Sequence, residues 1–396
     1  MPATHSIVFA NNKGGSGKTF LLFQLACETA RANPDRKVLV LDFSLYSDTS
    51  GLFMGGLHRE KPLDPTIGLN NTVNKTTPET RAEGLVKALI AAGDQAGAPS
   101  TSGHLFGAWF APKKVAQDVD LSRFYIQPNT VNPRVPSNLY LVASASDESW
   151  GSQHTGNPLV NGMDIDIPFW ARQHSTEWVP AAQQLNRAIA NLPGEWVVFA
   201  DTDHLASSPL TKLALGAMDR TVVPLSLDQG DFSRLFHDVT GNALFKDVMM
   251  PMAEDGLLSA KLSMLIFTKM TSRTNQEVVT EAGIRSPFTP ARAAQAQMGT
   301  VAASFQKATE SSIPLQQTIR GYAETEPEAR PSWFAGKYFT AFKTVSDVSL
   351  DISKHYGAPI CTMDCDDGTL GIDAAVVTPL RGELVFLRRA ILEEDH

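Results

Sequence analysis

The sequence predicts an α/β fold: a mostly parallel sheet flanked by helices on both faces, with a long insertion after the second strand and a short C-terminal extension. Three observations predict it. Short β-branched and aliphatic runs recur along the chain. Several are apolar at consecutive positions rather than alternating, as expected of strands covered on both faces. Helix-period stretches separate them, the pattern of strands alternating with helices. At 43% hydrophobic and 19% charged over 396 residues, the chain can bury a full core as one large domain with additions.

The strands are expected at Ser6–Ala10, Val38–Phe43, Leu139–Ala143, Trp196–Ala200, Thr221–Leu225 and Leu262–Phe267. Leu21, Leu22, Leu25 and Ala26 mark a helix after the first strand, and Ala181, Leu185, Ala188 and Leu192 mark one before the fourth. Between about Gly56 and Ser137 the chain is rich in Gly, Pro, Thr and Asn. It reads as an insertion (56–137) with one clear helix, roughly Glu79 to Ala92. The main α/β domain is thus expected over 1–355. In the extension, 356–396, Leu370–Thr378 and Glu383–Arg389 flank Pro379-Leu380-Arg381-Gly382, which suits a β-hairpin.

Composition narrows the classes. The formal net charge of -8 argues against a wholly basic surface for nucleic acid or anionic membrane, while leaving room for a local basic patch. Cys27 reads as a small buried helix residue. Cys361 and Cys365 are spaced C-x3-C with no second pair or nearby histidine, which makes zinc an unsuitable guest. Nothing resembles a disulfide framework or a signal peptide, and no apolar stretch spans a bilayer, so a soluble cytoplasmic protein is expected.

Asn11-Asn12-Lys13-Gly14-Gly15-Ser16-Gly17-Lys18-Thr19 follows the first strand and opens the first helix. Glycines there let backbone N–H groups turn toward phosphate oxygens, and the helix N-terminus adds its positive end. Gly14, Gly15, Ser16 and Gly17 would cradle the phosphates. Lys18 would reach the outer ones, and the Thr19 hydroxyl would ligate magnesium. Asn12 stands where this pattern normally begins with glycine, and Lys13 follows it.

That stretch closely resembles the KGGxGKT loop of the ParA/MinD family of deviant Walker A ATPases, closest to its ParA-like partition and positioning members. The resemblance implies ATP and Mg2+ as ligands and gives Lys13 a role across a dimer interface, toward the partner's nucleotide. Where the family has D-x-D-P-Q, this chain has Asp42-Phe43-Ser44-Leu45-Tyr46. Asp42 matches the first carboxylate, which helps hold the metal's water shell. Ser44 replaces the second, which orients the attacking water, so the resemblance implies slow hydrolysis.

Trp196-Val197-Val198-Phe199-Ala200-Asp201 has the form of an apolar strand ending in a metal-binding carboxylate, Asp201. Asp203 and His204 then replace the family's prolines. Asp203 reads either as a surface polar residue or as the carboxylate missing at position 44. Thr268, in Leu265–Thr271, stands where the family often has a base-contacting Asn. Ser312-Ile313-Pro314-Leu315 with Ile319-Arg320 resembles the family's last strand and loop.

The leading expectation is a ParA-type ATP-dependent dimerising switch that holds non-specific DNA and is released by an activating partner protein. It would be nucleoid-associated if it binds DNA. Between Lys261 and Lys343 ten Lys or Arg face six Glu and no Asp, a net of +4 that leaves -12 for the remainder. Such a stretch suits a DNA-riding dimer. A MinD-like membrane ATPase fits less well, since Leu384–Arg389 is short and Glu393-Glu394-Asp395 would be repelled by anionic lipid. A guanine-specific relative would need a carboxylate where Thr271 stands, and nitrogenase-like chemistry would need cysteines in mid-chain. A P-loop ligase or synthetase, with the insertion as substrate site, is the remaining alternative.

Overall fold

A computed structural model describes residues 4–44, 46–61, 64–97, 118–145, 178–325, 330–363 and 374–393. Seven parallel strands form its sheet. In chain order they begin with β1 (His5–Phe9), β2 (Lys37–Phe43), β3 (Leu139–Val142), β4 (Trp196–Thr202), β5 (Arg220–Ser226) and β6 (Lys261–Met270). Two small antiparallel pairs follow, built from β7 (Ser272–Thr274), β8 (Val278–Val279), β9 (Arg285–Ser286) and β10 (Thr289–Pro290), and β11 (Phe339–Lys343) closes the sheet. The spatial order is β11-β6-β5-β1-β4-β2-β3. β4 is buried at every position and β2 at all but Lys37, which accounts for their unbroken apolar runs.

Helix α1 (Lys18–Ala32) covers one face, with α2 (Asp48–Phe53) beside it; α3 (Ile67–Lys75) and α4 (Ala82–Gly97) come next in the chain. On the other face, α4 joins α5 (Trp178–Ala190) and α6 (Pro209–Ala217) in one core cluster with the sheet. The clear helix of the insertion is therefore part of the main helical layer. The amide of Gln184 donates to Ala92 O at 3.2 Å, and a Cβ on Gly93 would meet Pro180. The chain continues through α7 (Gln229–Arg234), a π-helical turn over Leu244–Met249, and α8 (Met250–Glu254). After the small strand pairs come α9 (Arg292–Glu310), α10 (Ile313–Gln317), α11 (Arg330–Tyr338), α12 (Asp347–Tyr356) and α13 (Ala374–Leu392).

Two expectations are corrected. The tail is helix over 374–392, not a hairpin. Val377, Leu380, Leu384, Leu387 and Ile391 recur at three and four residues and are all buried in the core that holds α1. That stripe outweighs the turn-like Pro379 and Gly382; Leu370–Asp373 of the expected first strand lie outside the described residues. Ser312–Leu315 is likewise not the last strand. The Ser312 hydroxyl caps α10 by accepting from Leu315 N at 3.3 Å, and Pro314 sits in the first helical turn, where proline is tolerated. The last strand is β11, which the sequence reading missed.

Candidate nucleotide site

β1 delivers the chain to residues 10–17, and that loop is anchored by its asparagines. Asn11 donates to Pro224 O at 2.5 Å, and its side-chain oxygen accepts from Lys13 N at 2.9 Å. Asn12 donates to Arg234 O at 2.8 Å. The residue standing in place of the usual first glycine therefore ties the loop to the end of α7. Gly15 and Gly17 have φ of +74° and +91°, a region that disfavours side chains, and a Cβ on Gly14 or Gly15 would meet nothing within 4 Å. Gly17 leads into α1 without a side-chain cap, and the first turn carries no acid. The open N–H groups and the helix dipole therefore suit an anion.

Lys18 is buried, and its ammonium approaches Lys13 O at 3.4 Å. Burial lowers its pKa, opposed by Asp201 and Asp203. In the β2–β4 register Asp42 lies directly beside Asp201, so two carboxylates share the C-terminal end of the sheet. Asp201 accepts from Thr19 Oγ1 at 2.7 Å and Thr49 Oγ1 at 2.6 Å, both on Oδ2; Oδ1 is buried without a hydrogen-bond partner. Burial, then the neighbouring Asp42, pushes the Asp201 carboxyl up to about 7 against Thr49, Lys18 and Thr19. Asp42 is also raised by burial, while Ser44 and Ser50 oppose the shift.

Ser44 points its hydroxyl at Asp42 Oδ1, 2.5 Å away, and its N–H donates to the same oxygen at 3.1 Å. Asp203 is buried, not a surface residue. Its Oδ1 accepts from His204 N at 2.6 Å and lies 2.5 Å from His204 Nδ1, and its Oδ2 is buried without a partner. His204 stacks on Tyr46 at 6.2 Å. Lys13 forms an ion pair with Asp231 on α7 of the same chain, and Asp231 also accepts from Ser226 Oγ. Thr268 donates to Ser16 O at 2.9 Å, so its hydroxyl steadies the glycine loop.

A cavity of about 520 Å³ opens on these elements. Gly15–Thr19, Thr268 and Lys269 line it, together with Phe342–Val345 at the end of β11, Asp48, Leu57, and Leu350 and Lys354 on α12. The α12 and β11 residues went unnoticed in the sequence, because no motif marks them and their strand was not recognised. Of the ten basic residues between Lys261 and Lys343, Arg285, Arg320, Lys337 and Lys343 are engaged in ion pairs with Glu277, Glu393, Glu393 and Glu383. Lys269, Arg273 and Arg292 are exposed and lie around the C-terminal end of β6, where Ala291 N donates to Thr271 O at 3.1 Å.

Cys27 and Cys361 are buried, and burial raises both thiols; Cys365 lies outside the described residues. Among the described residues no helix is long and apolar enough to cross a membrane.

No family model and no curated protein matches this sequence. Among solved structures, a variant of Cyanothece McdA in complex with ATP is similar at a TM-score of 0.50 and 11% identity, covering 100% of this chain and 99% of that one. The pNOB8 ParA bound to nonspecific DNA aligns at a TM-score of 0.48 and 12% identity, over 99% and 100% of the two chains. The likeness to McdA is one of fold.

Proposed function

We propose that this chain is an ATP-binding switch of the ParA type, dimerising with nucleotide and magnesium and holding non-specific DNA in that state. The observation that carries the reading is the glycine loop set beside paired buried carboxylates, with one Asp201 oxygen left open. The residues suit a metal–nucleotide. Gly14 and Gly15 leave room for phosphate oxygens, Lys18 supplies a desolvated cation, and Thr19 with Asp201 offers the hard oxygen donors that magnesium takes. The McdA variant that shares the fold is complexed with ATP, in keeping with this reading. Bound magnesium would neutralise charge developing on the transferred phosphoryl group.

Slow hydrolysis follows from Ser44 and its neighbours. Ser44 spends its hydroxyl on Asp42, which holds that carboxylate rather than a water. Asp203, with its partnerless Oδ2, takes the water-orienting role by accepting a hydrogen bond from the attacking water. DNA phosphates meet Lys269, Arg273 and Arg292, exposed at the end of the sheet that also carries the glycine loop. A nucleotide-driven dimer would join two such trios, and an activating partner protein would set the rate of release.

Size measurement with and without ATP, repeated with non-specific duplex DNA, tests the reading. A protein that stays monomeric with ATP would overturn the reading, and turnover of a small-molecule co-substrate would instead place it among P-loop ligases.

A further inference from the structure

We propose that Lys354 on α12 is a nucleotide-binding residue from outside the glycine loop, its ammonium meeting phosphate oxygens in the cavity that Gly15–Thr19 also line. This rests on the nucleotide reading above and adds to it a phosphate ligand that no motif specifies.

The position of Lys354 is set from two sides. A Cβ on Gly56 would lie 2.2 Å from His355 O, and one on Gly357 would lie 2.3 Å from Leu52 O. Only glycines allow the end of α12 to press so closely on α2 and the segment after it. Leu57 N donates to Lys354 O at 2.8 Å, tying the residue's own carbonyl to that segment. On the other side, Gln24 of α1 donates to Ser353 Oγ at 2.8 Å and accepts from Ile360 N at 2.7 Å. Gln24 lies on the helix that begins at Lys18, so α12 is fixed to the element that presents the phosphate loop.

The charge of Lys354 is available. It is half-buried on the cavity wall, and its ammonium has no hydrogen-bond or ion-pair partner among the described residues. It acts electrostatically on Asp48, also on the cavity wall, whose carboxyl is raised by burial, Asp42 and Asp203 and eased by Lys354. Lys343, by contrast, lines the same cavity but is paired with Glu383 at 3.1 Å. A lysine in the last turn of a helix is favourable without any ligand, since it complements the helix dipole. That role would leave nucleotide affinity untouched, and the two accounts separate on that point. A compact ammonium on a flexible stem suits phosphate as a point charge.

The test uses the full chain, titrating Mg·ATP and Mg·ADP into wild type, Lys354→Gln, Lys354→Arg and Lys18→Ala at low and moderate salt. Removing a charge-assisted hydrogen bond should weaken both nucleotides about tenfold or more in Lys354→Gln and flatten the salt dependence. Lys354→Arg should stay close to wild type. Affinities within about twofold of wild type in Lys354→Gln, alongside abolished binding in Lys18→Ala, would overturn the inference and leave the nucleotide reading standing. A wild type that binds neither nucleotide sinks both. Lysine-selective labelling of wild type, read by mass spectrometry, supplies a measure that needs no variant to fold. ADP should protect Lys354, and unchanged labelling there overturns the proposal.

Discussion

Lys13 and Asp231 form an ion pair within one chain, 218 positions apart in sequence. Asp231 is almost fully buried, and the Ser226 hydroxyl holds it from the other side. In the dimer proposed above Lys13 would first have to leave this carboxylate, so the pair would oppose dimerisation. Asp231→Asn should release Lys13 and tighten the ATP-bound dimer by about fivefold, equivalent to about 1 kcal/mol for a partly exposed pair. Lys13→Ala should bind ATP yet remain monomeric. Sedimentation of both variants across a protein concentration series checks this; unchanged dimerisation in Lys13→Ala would remove that residue from the interface.

The two candidate water-orienting positions differ in their neighbours. Ser44→Asp puts a second carboxylate against Asp42, which burial already raises. Like charges at that distance cost stability, by about 1–3 kcal/mol. The basal ATPase rate should nevertheless rise if position 44 alone limits hydrolysis. Asp203→Asn should instead remove the residual rate while nucleotide affinity stays near wild type. A steady-state ATPase assay with parallel binding measurements decides between them; full activity in Asp203→Asn rules out its assigned role.

Asp201 sets a pH dependence in the nucleotide-free protein. Its folded-state pKa of about 7 lies above the ordinary 3.8, so the folded state binds more protons between those values and stability falls as pH rises through that window. The cost is complete above about pH 7 and approaches on the order of 4 kcal/mol. Asp201→Asn removes it. Its gain in melting temperature over wild type should be larger at about pH 8 than at about pH 5, as thermal unfolding would show. An equal gain at both values would mean that Asp201 is not held protonated by burial.

DNA binding through Lys269, Arg273 and Arg292 makes a different kind of prediction. Phosphates carry no sequence information, so replacing all three residues by Ala should weaken binding equally across duplex sequences. It should also reduce the slope of log affinity against log salt by about 0.9 for each phosphate no longer neutralised. Salt titrations of wild type and triple variant with ATP present would measure both. An unchanged slope would move the DNA surface elsewhere, first to exposed Lys261 and Lys307.

Much of this architecture was legible in the sequence. Six sheet strands were recognised because each is a short apolar run bounded by turn residues. The glycine loop was legible because its pattern is contiguous, nine residues that follow a strand and open a helix. Asp201 was read as a carboxylate ending an apolar strand and Asp42 from its match to the family's D-x-D-P-Q pattern, though only the register places them side by side. Residues 374–392 misled because Pro379 and Gly382 are local turn signals, whereas the stripe from Val377 to Ile391 acquires its meaning only against α1.

What tertiary structure alone decided is which distant groups meet the loop: Asp231 on Lys13, Thr268 on Ser16, and Lys354 on the cavity wall. Local sequence specifies strand period, glycine conformation and capping, since those depend on neighbouring residues. It carries no comparable mark for a meeting of side chains hundreds of positions apart, because that depends on where the sheet order and helix packing bring their backbones together.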